Sequence, residues 1–213
     1  MPLPRTETQQ HLQLWFLILL RYNVYMNSSS ISQPHAIMMV GLPGSGKTFF
    51  AQQFSEMFNA PFIDSPFVIQ RSLDSSAGEE ICQRFLNEIV RTKQTFIYEG
   101  DSLSRVRRAE FARWVKGHGY KPLIIWVQTD ESTCRRRIQK TNSLDAMGFD
   151  AAIKSFTEPN STERAVVISG KHTYKTQART VLARLSDSNR AGRPTPVLAR
   201  QRPETRRRSV GIQ

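Results

Sequence analysis

The stretch Ala36-Ile-Met-Met-Val-Gly-Leu-Pro-Gly-Ser-Gly-Lys-Thr-Phe-Phe-Ala51 decides the fold. Ile37 to Val40 is an apolar run of strand length that stops at Gly41. Gly41-Leu42-Pro43-Gly44-Ser45-Gly46-Lys47-Thr48 then fits the pattern G-x-x-x-x-G-K-[ST] at every position. Phe49, Phe50, Phe54, Met57 and Phe58 follow at roughly helical spacing. Strand, glycine loop and helix form the setting in which this pattern binds phosphate. Glycines let the backbone curl so that successive N–H groups point inward. A helix opening near Lys47 adds the positive end of its dipole. All eight loop residues, Gly41 to Thr48, are therefore candidates for holding the phosphates of ATP. Lys47 is placed to reach the β- and γ-phosphates, and the Thr48 hydroxyl to ligate Mg²⁺.

The rest of the composition bounds what surrounds this loop. The chain has 213 residues, enough for one domain of ordinary size plus tails. Its apolar fraction, 39%, is low because both ends are polar. The two cysteines, Cys82 and Cys134, form no C-x-x-C. That fits a reducing compartment, argues against a disulfide framework or zinc site, and predicts a cytoplasmic protein. No stretch approaches the ~20 apolar residues of a membrane span. Thirty Lys and Arg against 18 Asp and Glu give a net charge of +12. Such a balance suits a polyanionic partner, from a nucleotide to nucleic acid, although ATP alone also calls for positive charge.

Three regions are expected. Residues 1–33 form an N-terminal extension in which Leu12 to Leu20 is strongly apolar. It has the length of a secretory core, but no A-x-A-like site follows. Met26 opens a polar lead-in to the first strand and is the preferred start of translation; a short amphipathic attachment helix is the alternative. Residues 34–185 form the domain. Residues 186–213 carry seven Arg among Ser, Asn, Gly and Pro and are expected to be a disordered basic tail.

Within the domain, Ala60-Pro-Phe-Ile-Asp64 reads as a second strand. Ser76-Ala-Gly-Glu79 has capping-box spacing and precedes a helix with apolar lines at Ile81, Phe85, Ile89 and at Cys82, Leu86, Val90. Thr95 to Tyr98 is a strand ending in Glu99-Gly-Asp101. Residues 104–118 form a basic helix, and Pro122 to Val127 a hydrophobic strand. Asp130 to Lys140 reads as a helix with acids first and cations last, and residues 141–165 as polar and irregular. Val166 to Ser169 and Tyr174 to Leu185 are the last strand and helix. This alternation predicts an α/β fold, a three-layer P-loop NTPase with a parallel sheet and helices on both faces. Ligands of such sheets bind beyond the carboxyl ends of the strands, which puts Gly41–Thr48, Asp64, Glu99 and Asp101 on one rim.

A small kinase needs an acid beside the acceptor hydroxyl and an arginine lid over the phosphates. Asp64 supplies the first, and Arg135, Arg136 and Arg137 before a polar loop supply the second. Glu99 or Asp101 is placed to serve Mg²⁺. The alternative is a nucleotide-binding regulator, or a nucleic-acid-associated ATPase without an acceptor.

On these residues the chain resembles small P-loop phosphotransferases of the polynucleotide kinase and zeta toxin type, a group that includes AAA-type ATP-binding predicted kinases. The resemblance covers about residues 36–185. Besides the loop, it rests on Asp64 after the second strand, on Glu99-Gly-Asp101 with Arg107-Arg108, and on Phe111-Ala-Arg-Trp-Val-Lys-Gly-His-Gly-Tyr120. It extends to Glu131-x-x-x-Arg135 and Phe156-Thr-Glu158-Pro-x-x-x-Glu163. It implies phosphoryl transfer from ATP, or GTP, to a hydroxyl, with Asp64 activating the acceptor and Arg135 at the lid. The acceptor it allows is a nucleic-acid 5′-end, a sugar nucleotide or a small molecule. Two departures stand out: Glu99 replaces the usual aspartate at the end of the third strand, and no arginine directly follows Asp64, the next being Arg71.

Overall fold

The computed structural model describes residues 33–190, with side chains as far as Ser186. The expectations for residues 1–32, including the start at Met26, and for the tail beyond Arg190 lie outside the described residues.

Five parallel strands form one sheet in the order β2-β3-β1-β4-β5. They are β1 (His35–Val40), β2 (Phe62–Asp64), β3 (Phe96–Glu99), β4 (Lys121–Gln128) and β5 (Val166–Ser169). The central strand β1 is buried along its whole length, which explains its unbroken apolar text. Helices cover both faces, as parallel crossovers require. On one face α1 (Lys47–Phe58) and α7 (Tyr174–Arg190) pack Phe50, Phe54, Val181 and Leu185 onto Ile37, Met39, Ile97 and Ile125. On the other face α3 (Ser75–Thr92) and α4 (Arg105–Gly117) bring Leu86, Val90 and Val115 onto Ala36, Ile63 and Phe96.

Of the two apolar lines on α3, the sheet takes Cys82, Leu86 and Val90. Ile81 and Phe85 remain 40% and 52% exposed, because a helix on a sheet buries one stripe only. The start of α3 differs from the capping-box reading. Asp74, not Ser76, is the N-cap, accepting the Ala77 N–H. Gly78 packs against the backbone of Ile69 in α2 (Ser65–Arg71), and that contact fixes the first turn upstream.

Three elements were absent from the sequence expectation. The helix α2 directly follows β2. About half of residues 141–165 is regular structure, as α6 (Ala146–Ser155) and a 3₁₀ turn at Ser161–Glu163. In α6 only Phe149 and Ala152 are buried, too few to show a period. The last helix runs five residues past Leu185, to Arg190. The remaining helix, α5 (Glu131–Thr141), starts at the Asp130 cap as its charge order implies. Among the described residues no helix is long and apolar enough to cross a membrane.

Candidate active site

The loop after β1 reaches α1 through glycines at φ 76° (Gly44) and 104° (Gly46), a region that disfavours side chains. Gly44 is further constrained by α5: a Cβ there would come within 2.7 Å of the Cys134 carbonyl oxygen. Gly46 is the N-cap of α1, which has no side-chain cap and no acid in its first turn. Among the described residues, neither a capping side chain nor a first-turn acid competes for the amides that would receive an anion. The Ser45 hydroxyl is buried without a hydrogen-bond partner among the described residues, a polar atom suited to a phosphate oxygen.

Three side chains meet under the loop. Lys47 Nζ donates to the Gly41 and Leu42 carbonyls, both at 3.1 Å, and lies 3.6 Å from Glu99 Oε1. Thr48 Oγ1 donates to Glu99 Oε2 at 2.8 Å. Glu99 is 5% exposed. Burial raises its pKa, while the Lys47 charge and the Thr48 hydroxyl pull it down and Asp64 pushes it up. Glu99 stands at the end of β3 next to β1, so its neighbours follow from strand order.

Asp64 stands opposite Glu99 in the β2–β3 register. Its Oδ1 accepts the Phe67 N–H at 3.0 Å and caps α2. A capping role and a place on the rim thus coexist. Asp101 is not part of the Lys47–Thr48–Glu99 cluster. Its exposed carboxylate pairs with Arg107 Nε at 3.1 Å and lines a cavity between α3 and α4.

The arginine triplet divides around α5. Arg135 pairs with Glu131 at 2.9 Å and Asp150 at 2.8 Å, and its guanidinium lies 4.8 Å from the Phe149 ring centre. It therefore ties α5 to α6. Arg137 is the one that touches the loop. Its guanidinium donates to the Gly44 and Ser45 carbonyls, both at 3.2 Å, and to the Gly170 carbonyl at 2.9 Å. Cys134, Arg137 and Ile138 share the face of α5 turned to the loop, so helical spacing could have singled out Arg137.

Sequence reasoning also missed what joins two of its quoted segments. Arg108 is fully buried and makes a bidentate pair with Glu163, at 2.6 and 3.0 Å. It also donates to the Ser102 and Leu103 carbonyls. Burial alone would raise the Glu163 pKa, but Arg108 and the Asn160 amide outweigh it and hold it below the ordinary value. The segment after β3 is thereby tied to the one before β5.

No three His, Cys, Asp or Glu among the described residues gather into a protein-only metal site. Thr48 and Glu99 are a hard-oxygen pair that suits Mg²⁺ shared with phosphate oxygens. Two cavities border this rim. One, of about 390 Å³, lies between α2, α3 and α4. The other, of about 510 Å³, runs from Leu42 past Trp126 to Lys171, where Lys171 pairs with Asp130 and draws its carboxyl well below the usual range.

A family profile described as an AAA domain matches residues 37–159. No curated protein matches the chain. Among solved structures it is similar to a gluconokinase from Sinorhizobium meliloti 1021, at 16% identity and TM-score 0.58, covering 74% of this chain and 97% of that one. Kti12 of Chaetomium thermophilum, in complex with ADP-AlF3, gives 18% identity and TM-score 0.56 over 72% and 98%. The APS kinase CysC of Mycobacterium tuberculosis, in complex with AMPPNP and APS, gives 17% and 0.55 over 72% and 98%. These likenesses show a shared P-loop fold.

Proposed function

The chain belongs to the AAA domain family, and from that premise we propose that it transfers the γ-phosphate of ATP to an alcohol. The observation that carries this reading is the Lys47–Thr48–Glu99 cluster beneath a glycine loop, built on the buried Glu99, with Asp64 opposite Glu99 on the next strand. The nucleotide complexes of Kti12 and APS kinase support an adenine nucleotide as donor. The resemblance to polynucleotide kinases and zeta toxins supports a hydroxyl as acceptor.

In this reading the loop amides and Lys47 bind the β- and γ-phosphates and offset the charge that develops between them. Thr48 and Glu99 would hold Mg²⁺, which would supply neutralisation of the phosphate charge. The Asp64 carboxylate orients the acceptor and takes its proton. The acceptor oxygen bonds to the γ-phosphorus as the bond to the bridging oxygen breaks, and ADP leaves. Of the three lid arginines, Arg137 fixes the loop against the segment after β5, while Arg135 holds α5 to α6.

The test is acceptor-dependent release of ADP. Lys47→Ala should reduce it ~10²–10³-fold with the fold intact, because transfer is mostly electrostatic positioning. ATP binding without acceptor-dependent ADP from the wild-type protein would mark a nucleotide-binding regulator instead.

A further inference from the structure

We infer that the cavity between α2, α3 and α4 takes the acceptor, and that this acceptor is a small ring-bearing alcohol without phosphate or sulphate, neutral or cationic. The inference rests on the phosphotransferase reading above and names the substrate class of that site.

Position comes first. The cavity is bordered by Ser65, the residue after Asp64, and by Asp101, two residues after Glu99. A ligand within it therefore borders the two strand ends that carry the proposed base and the Mg²⁺-side acid. Its volume, about 390 Å³, is near the lower end for small-molecule sites and suits a sugar or nucleoside rather than a polymer.

One wall is aromatic. Tyr98 and Phe111 are stacked with ring centres 5.0 Å apart, and Trp114 continues the wall 6.2 Å from Phe111. Aromatic faces receive ring faces and attract cations. The position of the Tyr98 phenol depends on Gly100, where a Cβ would collide with its hydroxyl.

The charge is the deciding feature. Glu79, Asp101 and Glu110 line the cavity, and Arg107 is the single cation lining it among the described residues. Arg107 is already engaged, at 3.1 Å from Asp101 and 3.4 Å from Glu110. An entering phosphate would meet carboxylates in excess and an arginine whose charge is matched, so like-charge repulsion opposes it. The chain's net charge of +12 would favour a polyanion, and the cavity runs against that overall balance.

Ser65, a residue 4% exposed, also lines the cavity. Its hydroxyl lies beside the Tyr98 phenol and lowers the phenol's pKa against the larger upward effect of burial.

The experiment uses matched probes with the full-length protein: adenosine with adenosine 3′-monophosphate, glucosamine with glucosamine 6-phosphate, and a 5′-hydroxyl oligoadenylate. Transfer from γ-labelled ATP and Kd by titration calorimetry are both read. The unphosphorylated member of at least one pair should bind and be favoured by about tenfold or more over its partner and over the oligonucleotide. Glu110→Lys, on an exposed helix face, should shrink that ratio by about tenfold. Glu79→Gln, which removes one carboxylate, should shrink it less and provides the check if the first variant does not fold. The inference is overturned if a phosphorylated probe or the oligonucleotide is preferred. It is equally overturned if the ratio is unchanged in both variants, or if no unphosphorylated probe binds to protein that still binds ATP. Failure to bind ATP at all would instead overturn the phosphotransferase reading itself.

Discussion

Arg108 is a single side chain on which two distant segments depend. Removing one partner of a buried ion pair leaves the other charge uncompensated, a cost of about 3–5 kcal/mol. Arg108→Met should therefore lower unfolding free energy by roughly that amount. Adding Glu163→Gln should restore part of it; urea titration of the single and double variants measures both. Asp64 makes the complementary case, since it both caps α2 and stands on the rim. Asp64→Ala should cost about 1 kcal/mol by loss of the cap, whereas Asp64→Ser and Asp64→Asn keep a capping side chain and should fold with near-wild-type stability. Denaturant midpoints separate the three, and any loss of transfer in the last two then belongs to the missing carboxylate.

At the scale of elements, α5 presents its arginines in different directions. Arg137 meets three carbonyls of the two loops that flank the proposed nucleotide site, while Arg135 is held by Glu131 and Asp150. Arg137→Ala should weaken ATP binding by about tenfold, and Arg135→Ala should leave it within about threefold, as expected for hydrogen bonds to a charged group against an exposed ion pair. Calorimetric titration with ATP decides between them; the reverse order would make Arg135 the nucleotide-side arginine. These helices also mark what the sequence made legible. The glycine loop, β1 and α1 were readable because the motif fixes backbone, dipole and side chains together. The choice of α3's buried stripe was not, since Ile81 and Phe85 are as apolar as Cys82 and Leu86, and only the sheet selects between them. Short α2 and α6 escaped because each is settled by packing and capping over too few residues for a period. Glu99 and Asp101 were equivalent as text; the pairing of Glu99 with Thr48, and of Asp101 with Arg107, distinguishes their surroundings.

For the whole molecule, pH acts through the centre of the sheet. His35 opens β1 and is buried, and desolvation, then the charge of Lys121, lowers its pKa from 6.5 to about 4. The native state holds it neutral, so the unfolded chain takes up the proton first as pH falls. Stability is thus fully present above pH 6.5 and declines from there to about pH 4, by about 3 kcal/mol from this residue. His35→Gln should flatten that part of the stability profile, measured by urea midpoints at successive pH values. The fold around this strand brings the ends of β1, β2 and β3 to one rim, and the central claim is that they transfer phosphate there with Asp64 as base. The most direct measurement is single-turnover transfer of labelled γ-phosphate to the best acceptor of the probe set, by wild type, Asp64→Asn and Asp64→Ser, with ATP affinity taken on each. Near-normal ATP affinity with transfer reduced ~10²–10⁴-fold in both variants is the predicted result. Normal transfer in both, with transfer abolished by Glu99→Gln or Asp101→Asn, would contradict it and move the base to the end of β3.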